Sequence, residues 1–439
     1  MRSMFSGVSG LRAHQTKMDV IGNNISNVNT VAFKSGRVTF EEVFSQTMKG
    51  AGAPDSATGR GGTNPMQVGL GIGVSSVDTL TTNGSVQRTD NPTDLAIEGD
   101  GFFIVKGGSA DTYHFTRAGN FGIDKTGNLV TSSGLNVYGW QAYKRETDGT
   151  YTFNTENELE PLNLYVDDTN KNKKMIAAKA TTYAVLSGNL DSSYPVLTGS
   201  AATAGTPQFS VPMTVFDSLG NSYTINIGMR KTDVTSGAST WSWQVDTGAS
   251  STASGSLTFD SKGQIVASGA SGVSAKFKIQ ITPASSVGSE PMDVTLDFSK
   301  LTMYSADSSV KPTSVDGYST GSLVNFSIGS DGIITGIYSN GQQQPLGLIG
   351  LASFENPAGL LKSGDNLYTP TTNSGDFKKG AKAGSEGVGT LNPGTLEMSN
   401  VDLSSEFTEM IVTQRGFQAN SRIITTSDEM LQELVNLKR

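Results

Sequence analysis

The chain of 439 residues contains no cysteine. Disulfides, thiolate metal sites and cysteine nucleophiles are therefore excluded. Histidine is limited to His14 and His114, and neither stands near an acid and a nucleophile in a catalytic spacing. No HExxH, GxSxG or GxxxxGKS/T pattern occurs. The stretch "GLGIGVSSV" (Gly69–Val77) lacks the third glycine and the following helix of a dinucleotide loop, and "EGDGFF" (Glu98–Phe103) lacks the EF-hand spacing. No catalytic residue, metal or cofactor is expected. Charged residues make up only 16% of the chain, the net charge is −8, and no Lys/Arg block stands out. These features argue against nucleic acid as a partner. No run of about 18 apolar residues exists, so no membrane insertion is expected. The first 26 residues lack the apolar core and cleavage site of a Sec signal. Any export would use a route without signal cleavage.

What the chain does contain is glycine, 52 of 439 residues, against a usual share of about 7%. Across the middle of the chain, apolar and polar residues alternate. Val211, Met213 and Val215 alternate, as do Tyr223, Ile225, Ile227 and Met229, then Trp241, Trp243 and Val245. Phe277, Ile279 and Ile281 follow, and then Met292, Val294, Leu296 and Phe298. Each run predicts a strand of an antiparallel sheet with one wet face. Turn pairs such as Asn83-Gly84, Asp331-Gly332 and Asn340-Gly341 separate further strands. Asp167–Met175, Leu197–Pro207 and Ser305–Ser322 read as loops or links from their composition.

Both ends switch to a helical period. Met4, Leu11, Met18 and Ile25 stand seven residues apart, with Val8, Ile21 and Val28 widening the stripe. Gly7, Gly10 and Gly22 interrupt it, each costing about 1 kcal/mol relative to alanine. At the other end Leu403, Met410, Phe417, Ile424 and Leu431 keep the same interval, with Phe407 and Val435 between them. Asp402 is the expected N-cap, Glu406 and Glu409 follow in the first turns, and Lys438 and Arg439 close the helix. Full burial of the five seam positions is worth about 10 kcal/mol before entropy. The two stripes could satisfy each other in a hairpin packed on the β body, or other copies could cover them.

The expected fold is α+β, mostly β. Nested antiparallel β domains lie between coiled-coil-like terminal helices paired at one end. Residues 1–30 with 397–439 make the helical part, and 31–75 with 385–396 a connecting region. Residues 76–145 with 322–384 make an inner β domain, and 146–321 an inserted outer one.

"NNISNVNTVAFKSGRVTFEEVF" (Asn23–Phe44) resembles the N-terminal signature of bacterial flagellar rod and hook proteins. Its motif positions are Asn24, Asn27, Thr30, Phe33 and Lys34. "DLAIEGDGFFIV" (Asp94–Val105), with Gly99, Gly101, Phe102 and Phe103, "TRAGNF" (Thr116–Phe121), "GNLVTSSGLNVYGW" (Gly127–Trp140) and the C-terminal Glu397–Leu437 also resemble that family. "VFDSLGNSYTI" (Val215–Ile225) is similar to the inserted domain of its hook subgroup. Within the family, the extra length from Arg145 to Ser322 favours a hook subunit over a distal rod subunit. The resemblance implies export through the flagellar type III apparatus and self-polymerisation into a tube that transmits torque as a universal joint. The implied partners are the chain itself, the hook cap, the distal rod and the hook–filament junction proteins. The implied location is the hook, outside the cell. A β-rich adhesin or enzyme with merely paired termini is the alternative of a different class.

Overall fold

The computed structural model describes residues 2–437 except 55–58, 60, 108–111, 147–149, 167–171, 199–205, 247–252, 267–274, 284–287 and 386. Residues 167–171 of the loop expected at Asp167–Met175, residues 199–205 of that expected at Leu197–Pro207, and the expected end at Lys438 and Arg439 lie outside the described residues. The chain divides into two compact units. One comprises Met1–Lys171, Phe326–Thr335 and Pro345–Arg439, the other Asn172–Asn325 and Gly336–Gln344.

The first unit holds both helices, α1 (Arg2–Ser26) and α2 (Leu403–Asn436). The Asp402 carboxylate accepts from the backbone N–H groups of Ser404 and Ser405 at 2.9 and 3.4 Å, so the expected N-cap starts α2. The β body of this unit is an antiparallel sheet. Its strands run in the order Gln343–Ala352, Asn136–Trp140, Phe102–Lys106, Tyr113–Thr116, Leu367–Thr369 and Leu361–Gly364. Phe102, Ile104, Phe115, Ala352, Phe354, Leu360 and Tyr368 form one core beneath it. The aromatic rings meet edge to face, as between Phe115 and Phe354 at 4.8 Å.

One part of this unit differs from the sequence reading. Residues 150–166, expected within the insertion that starts at 146, belong to the first unit. Leu162 and Leu164 are 1% exposed, Glu160–Pro161 pairs with Tyr138 and Gly139, and the Trp140 indole donates to the Asn157 carbonyl at 3.1 Å. Leu162 and Leu164 anchor this stretch. The expected connecting region after α1 contains two strand pairs. Gly36–Glu42 pairs with Ile72–Thr79, and Ser45–Lys49 with Met66–Gly69.

The second unit is a sandwich of two four-stranded sheets. One runs Lys276–Ile281, Met292–Tyr304, Tyr183–Asp191, Lys311–Val315, and the other Phe209–Phe216, Ser222–Thr235, Ala238–Asp246, Ala253–Phe259. The inward residues of the predicted alternations, Val211, Met213, Val215, Ile225, Ile227, Trp241, Trp243 and Leu296 among them, fill the shared core. One pairing departs from the antiparallel expectation. Tyr183–Asp191 runs parallel to Met292–Tyr304. The chain between them builds the facing sheet before returning, and such a long crossover permits a parallel partner.

Candidate assembly surface

The two helices pack antiparallel, and small residues hold them close. Ser3 Oγ lies 3.2 Å from Ser427 Oγ at one end. Further along, Lys17 pairs with Glu409 at 3.0 Å and Asn24 donates to Glu406 at 2.9 Å. A Cβ on Gly10 would stand 2.8 Å from the Asn420 side chain, and one on Gly416 would stand 2.8 Å from the His14 ring. A Cβ on Gly7 would come within 3.1 Å of Ile424. Two of the three glycines that read as weak points of α1, Gly7 and Gly10, are thus places where α2 comes close. Ala13, Ile21 and Asn24 are buried on α1, and Thr413 and Ser427 on α2. Sequence reading missed this small and polar row because it carries no hydrophobic signal. Its spacing, with Glu406, Thr413, Asn420 and Ser427 seven residues apart, was nevertheless present.

The apolar seams sit beside this row and are only partly covered. On α1, Ile21 is buried, Met4, Leu11, Met18 and Ile25 are half-buried, and Val8 is exposed. Val28, just past the helix end, is half-buried. On α2, Met410 and Ile424 are half-buried, while Leu403, Phe407, Phe417, Leu431 and Val435 are exposed. A second exposed line, Ile423, Met430 and Leu437 with Val412 beside it, lies on the other flank of the α1 contact, and the exposed Leu434 continues the contact row past Ser427. Ile424 beside Gly7 is the seam residue that the structure brings directly against α1.

The motif residues brace the base of this pair. Asn24, 2% exposed, accepts from the Gly36 N–H at 2.9 Å and donates to the Gly36 carbonyl at 2.8 Å as well as to Glu406. One amide thereby ties α1, the following strand and α2. Asn27 donates to the Asn23 carbonyl at 2.9 Å and accepts from the Thr30 hydroxyl at 3.0 Å, closing the end of α1. The Lys362 ammonium lies 5.1 Å from the Phe33 ring. Lys34 is buried and meets Glu397 at 2.6 Å, and it also donates to the Thr82 carbonyl at 2.8 Å. The other Glu397 oxygen faces Arg117 at 3.5 Å, and the Gly84 N–H donates to the carboxylate at 3.0 Å. All three charged residues are 3% exposed. Sequence reading did not single out Glu397 or Arg117 as partners of Lys34.

The "EGDG" block is structural. Gly99 and Gly101 have φ of 111° and 126°, and a Cβ on Gly99 would stand 3.0 Å from Gly389. Only glycine fits such a turn against a neighbouring backbone. Phe102 and Phe103 then enter the core, with Phe103 edge-on to Phe121 at 4.9 Å.

Burial pushes the Lys34 ammonium below its ordinary range, although Glu397 opposes the shift. The Tyr368 phenol, buried in the sheet core, is pushed up to about 12. His14 stands edge-on to Phe40 at 5.6 Å. Burial, reinforced by Lys17, holds its imidazole below the usual value. Folding therefore favours the neutral ring. Helix pairing should be strongest above pH about 6.5 and weaken as the pH falls from there toward the depressed folded value. Glu406 is shifted upward, chiefly by burial, and acts in the opposite sense. Thermal unfolding across this window should lose part of its pH dependence in His14→Gln. An unchanged profile would refute the role of this histidine.

Four segments match known families. Residues 4–34 match the flagella basal body rod protein family, and 96–172 the flagellar hook protein FlgE/F/G D1 domain. Residues 189–318 match the flagellar basal body protein FlaE D2 domain, and 392–437 the flagellar basal body rod FlgEFG protein C-terminal family. The flagellar hook protein FlgE of Borreliella burgdorferi is 41% identical across 100% of both chains. The chain belongs to the flagellar hook protein family. The hook protein FlgE of Treponema pallidum is 38% identical, again across 100% of each chain. The crystal structure of the Helicobacter pylori hook protein FlgE2 shares the fold, with a TM-score of 0.50 at 16% identity over 71% of this chain and 100% of that one. Membership in the hook family makes this a structural protein of the flagellum, located in the hook.

Proposed function

We propose that copies of this chain polymerise into the hook tube, with the α1–α2 pair in its inner layer, and that the assembly transmits torque while bending. The observation that carries this reading is the pair of exposed apolar lines on α2, one on each side of its contact with α1. Each large side chain on these lines gains about 1.5–3 kcal/mol when fully buried, and α1 occupies only the strip between them. The seam residues Met4, Val8, Leu11, Met18, Ile21, Ile25, Val28, Leu403, Phe407, Met410, Phe417, Ile424, Leu431 and Val435 are the proposed assembly positions. The motif residues Asn24, Asn27, Thr30, Phe33 and Lys34 hold the pair on the β body, and the Gly99–Phe103 block shapes that body. Export without signal cleavage through the type III apparatus, and contacts with the cap, distal rod and junction proteins, are part of the proposal. Phe407→Asp, placed on an exposed position, should leave the monomer folded and raise the critical concentration for tubes at least about 100-fold. Tubes forming at the wild-type concentration would refute the reading.

A further inference from the structure

α2 runs past the start of α1. Ser3 meets Ser427 near this end, and α2 continues for nine further residues, Asp428–Asn436, over about 13 Å. Every residue from Asp428 to Leu437 is exposed. Met430, Leu434 and Leu437 are 61%, 62% and 81% exposed and share one face, with Glu429 and Glu433 bordering it.

Elsewhere in the same unit is a groove of complementary character. Phe5, Val8, Ser9, Arg12 and Thr16 of α1 form one wall and Ile72–Val74 the other, around a cavity of about 390 Å³. Phe5 is 73% exposed and Val8 40%. Ser9 Oγ accepts from the Ile72 N–H at 3.3 Å and fixes the strand against the helix. Arg12 stands exposed on the rim.

We propose, building on the assembly reading above, that the α2 overhang of one copy seats in the α1–strand groove of the next. Met430, Leu434 and Leu437 fill the apolar floor, and Glu429 and Glu433 meet Arg12. Each chain carries one plug and one socket at different places. A contact between unlike surfaces repeats without closing when the rotation does not return on itself, and it then generates an open helical assembly. An apolar helix face laid in a groove is a common recognition mode, and the rim charges fix register and weaken with salt.

The test is a charge exchange in the full chain, read as the critical concentration for polymerisation by sedimentation. Arg12→Glu and Glu433→Arg should each raise it about tenfold or more, and the double variant should recover most of the loss. Mixing Arg12→Glu with Leu434→Asp gives one chain with a free plug and one with a free socket. Below the critical concentration of either variant alone, that mixture should stop at dimers. If wild type polymerises and Arg12→Glu does so equally well, or if the double variant shows the product of the two losses, this contact is wrong and the assembly reading stands. If wild type never polymerises, both fall. Circular dichroism of the monomers confirms that the exposed substitutions leave the fold intact.

Discussion

Glu397→Ala should destabilise the first unit by about 3–5 kcal/mol, the larger of the two main effects expected here. The carboxylate answers Lys34 at 2.6 Å, Arg117 at 3.5 Å and the Gly84 N–H at 3.0 Å. Its removal leaves two cations 3% exposed without their shared anion. Lys34 retains the Thr82 carbonyl and Arg117 retains Asn83, which satisfies hydrogen bonds but not charge. Because Lys34 follows α1 and Glu397 precedes α2, loosening this pair should also free the base of both helices. Denaturant unfolding with matched slopes measures the loss. A cost below about 1 kcal/mol would show that the ion pairs behave as surface pairs do. Replacing all three residues by apolar ones of similar volume should cost far less than the single change, because no buried charge is then left alone.

Gly416→Val and Gly10→Val should each separate α1 from α2. Their added Cβ atoms would lie 2.8 Å from the His14 ring and from the Asn420 amide. Overpacking of this kind costs about 1–3 kcal/mol where neighbours can shift, and here the neighbours belong to a helix facing the substituted one. α1 by itself is a marginal helix, so loss of the contact should appear as lost helical signal and protease-sensitive ends on an intact β body. Gly22→Ala is the control. Beyond its own helical turn, no atom stands within 4 Å of its added Cβ, and alanine should stabilise the helix by up to about 1 kcal/mol. Equal behaviour of Gly10→Val and Gly22→Ala would refute the close-approach account.

The strands were legible wherever one face is dry and the other wet, as in Phe209–Phe216 and Met292–Tyr304, because alternation records burial directly. The N-cap was legible at Asp402 because capping is local chemistry. What stayed hidden depends on distant partners. Lys34 and Glu397 are 363 residues apart, and no period links them. The parallel pairing of Tyr183–Asp191 depends on the route of the intervening chain, to which strand patterns are blind. The helix seams were legible as apolar lines, but not which line faces α1. The periodic greasy residues drew attention, whereas apart from Ile424 the close contact is made by Gly7, Gly10, Thr413, Gly416 and Ser427, whose value lies in being small.

The absence of cysteine makes one experiment clean. Phe407→Cys and Val435→Cys each introduce the sole thiol of the chain at a site 51% and 68% exposed. Maleimide labelling should be fast for both in the monomer and slower by about 100-fold or more once tubes form, as expected for side chains that pass into a packed interface. Equal labelling rates in monomer and tube would contradict the central claim that other copies cover the apolar faces of α2.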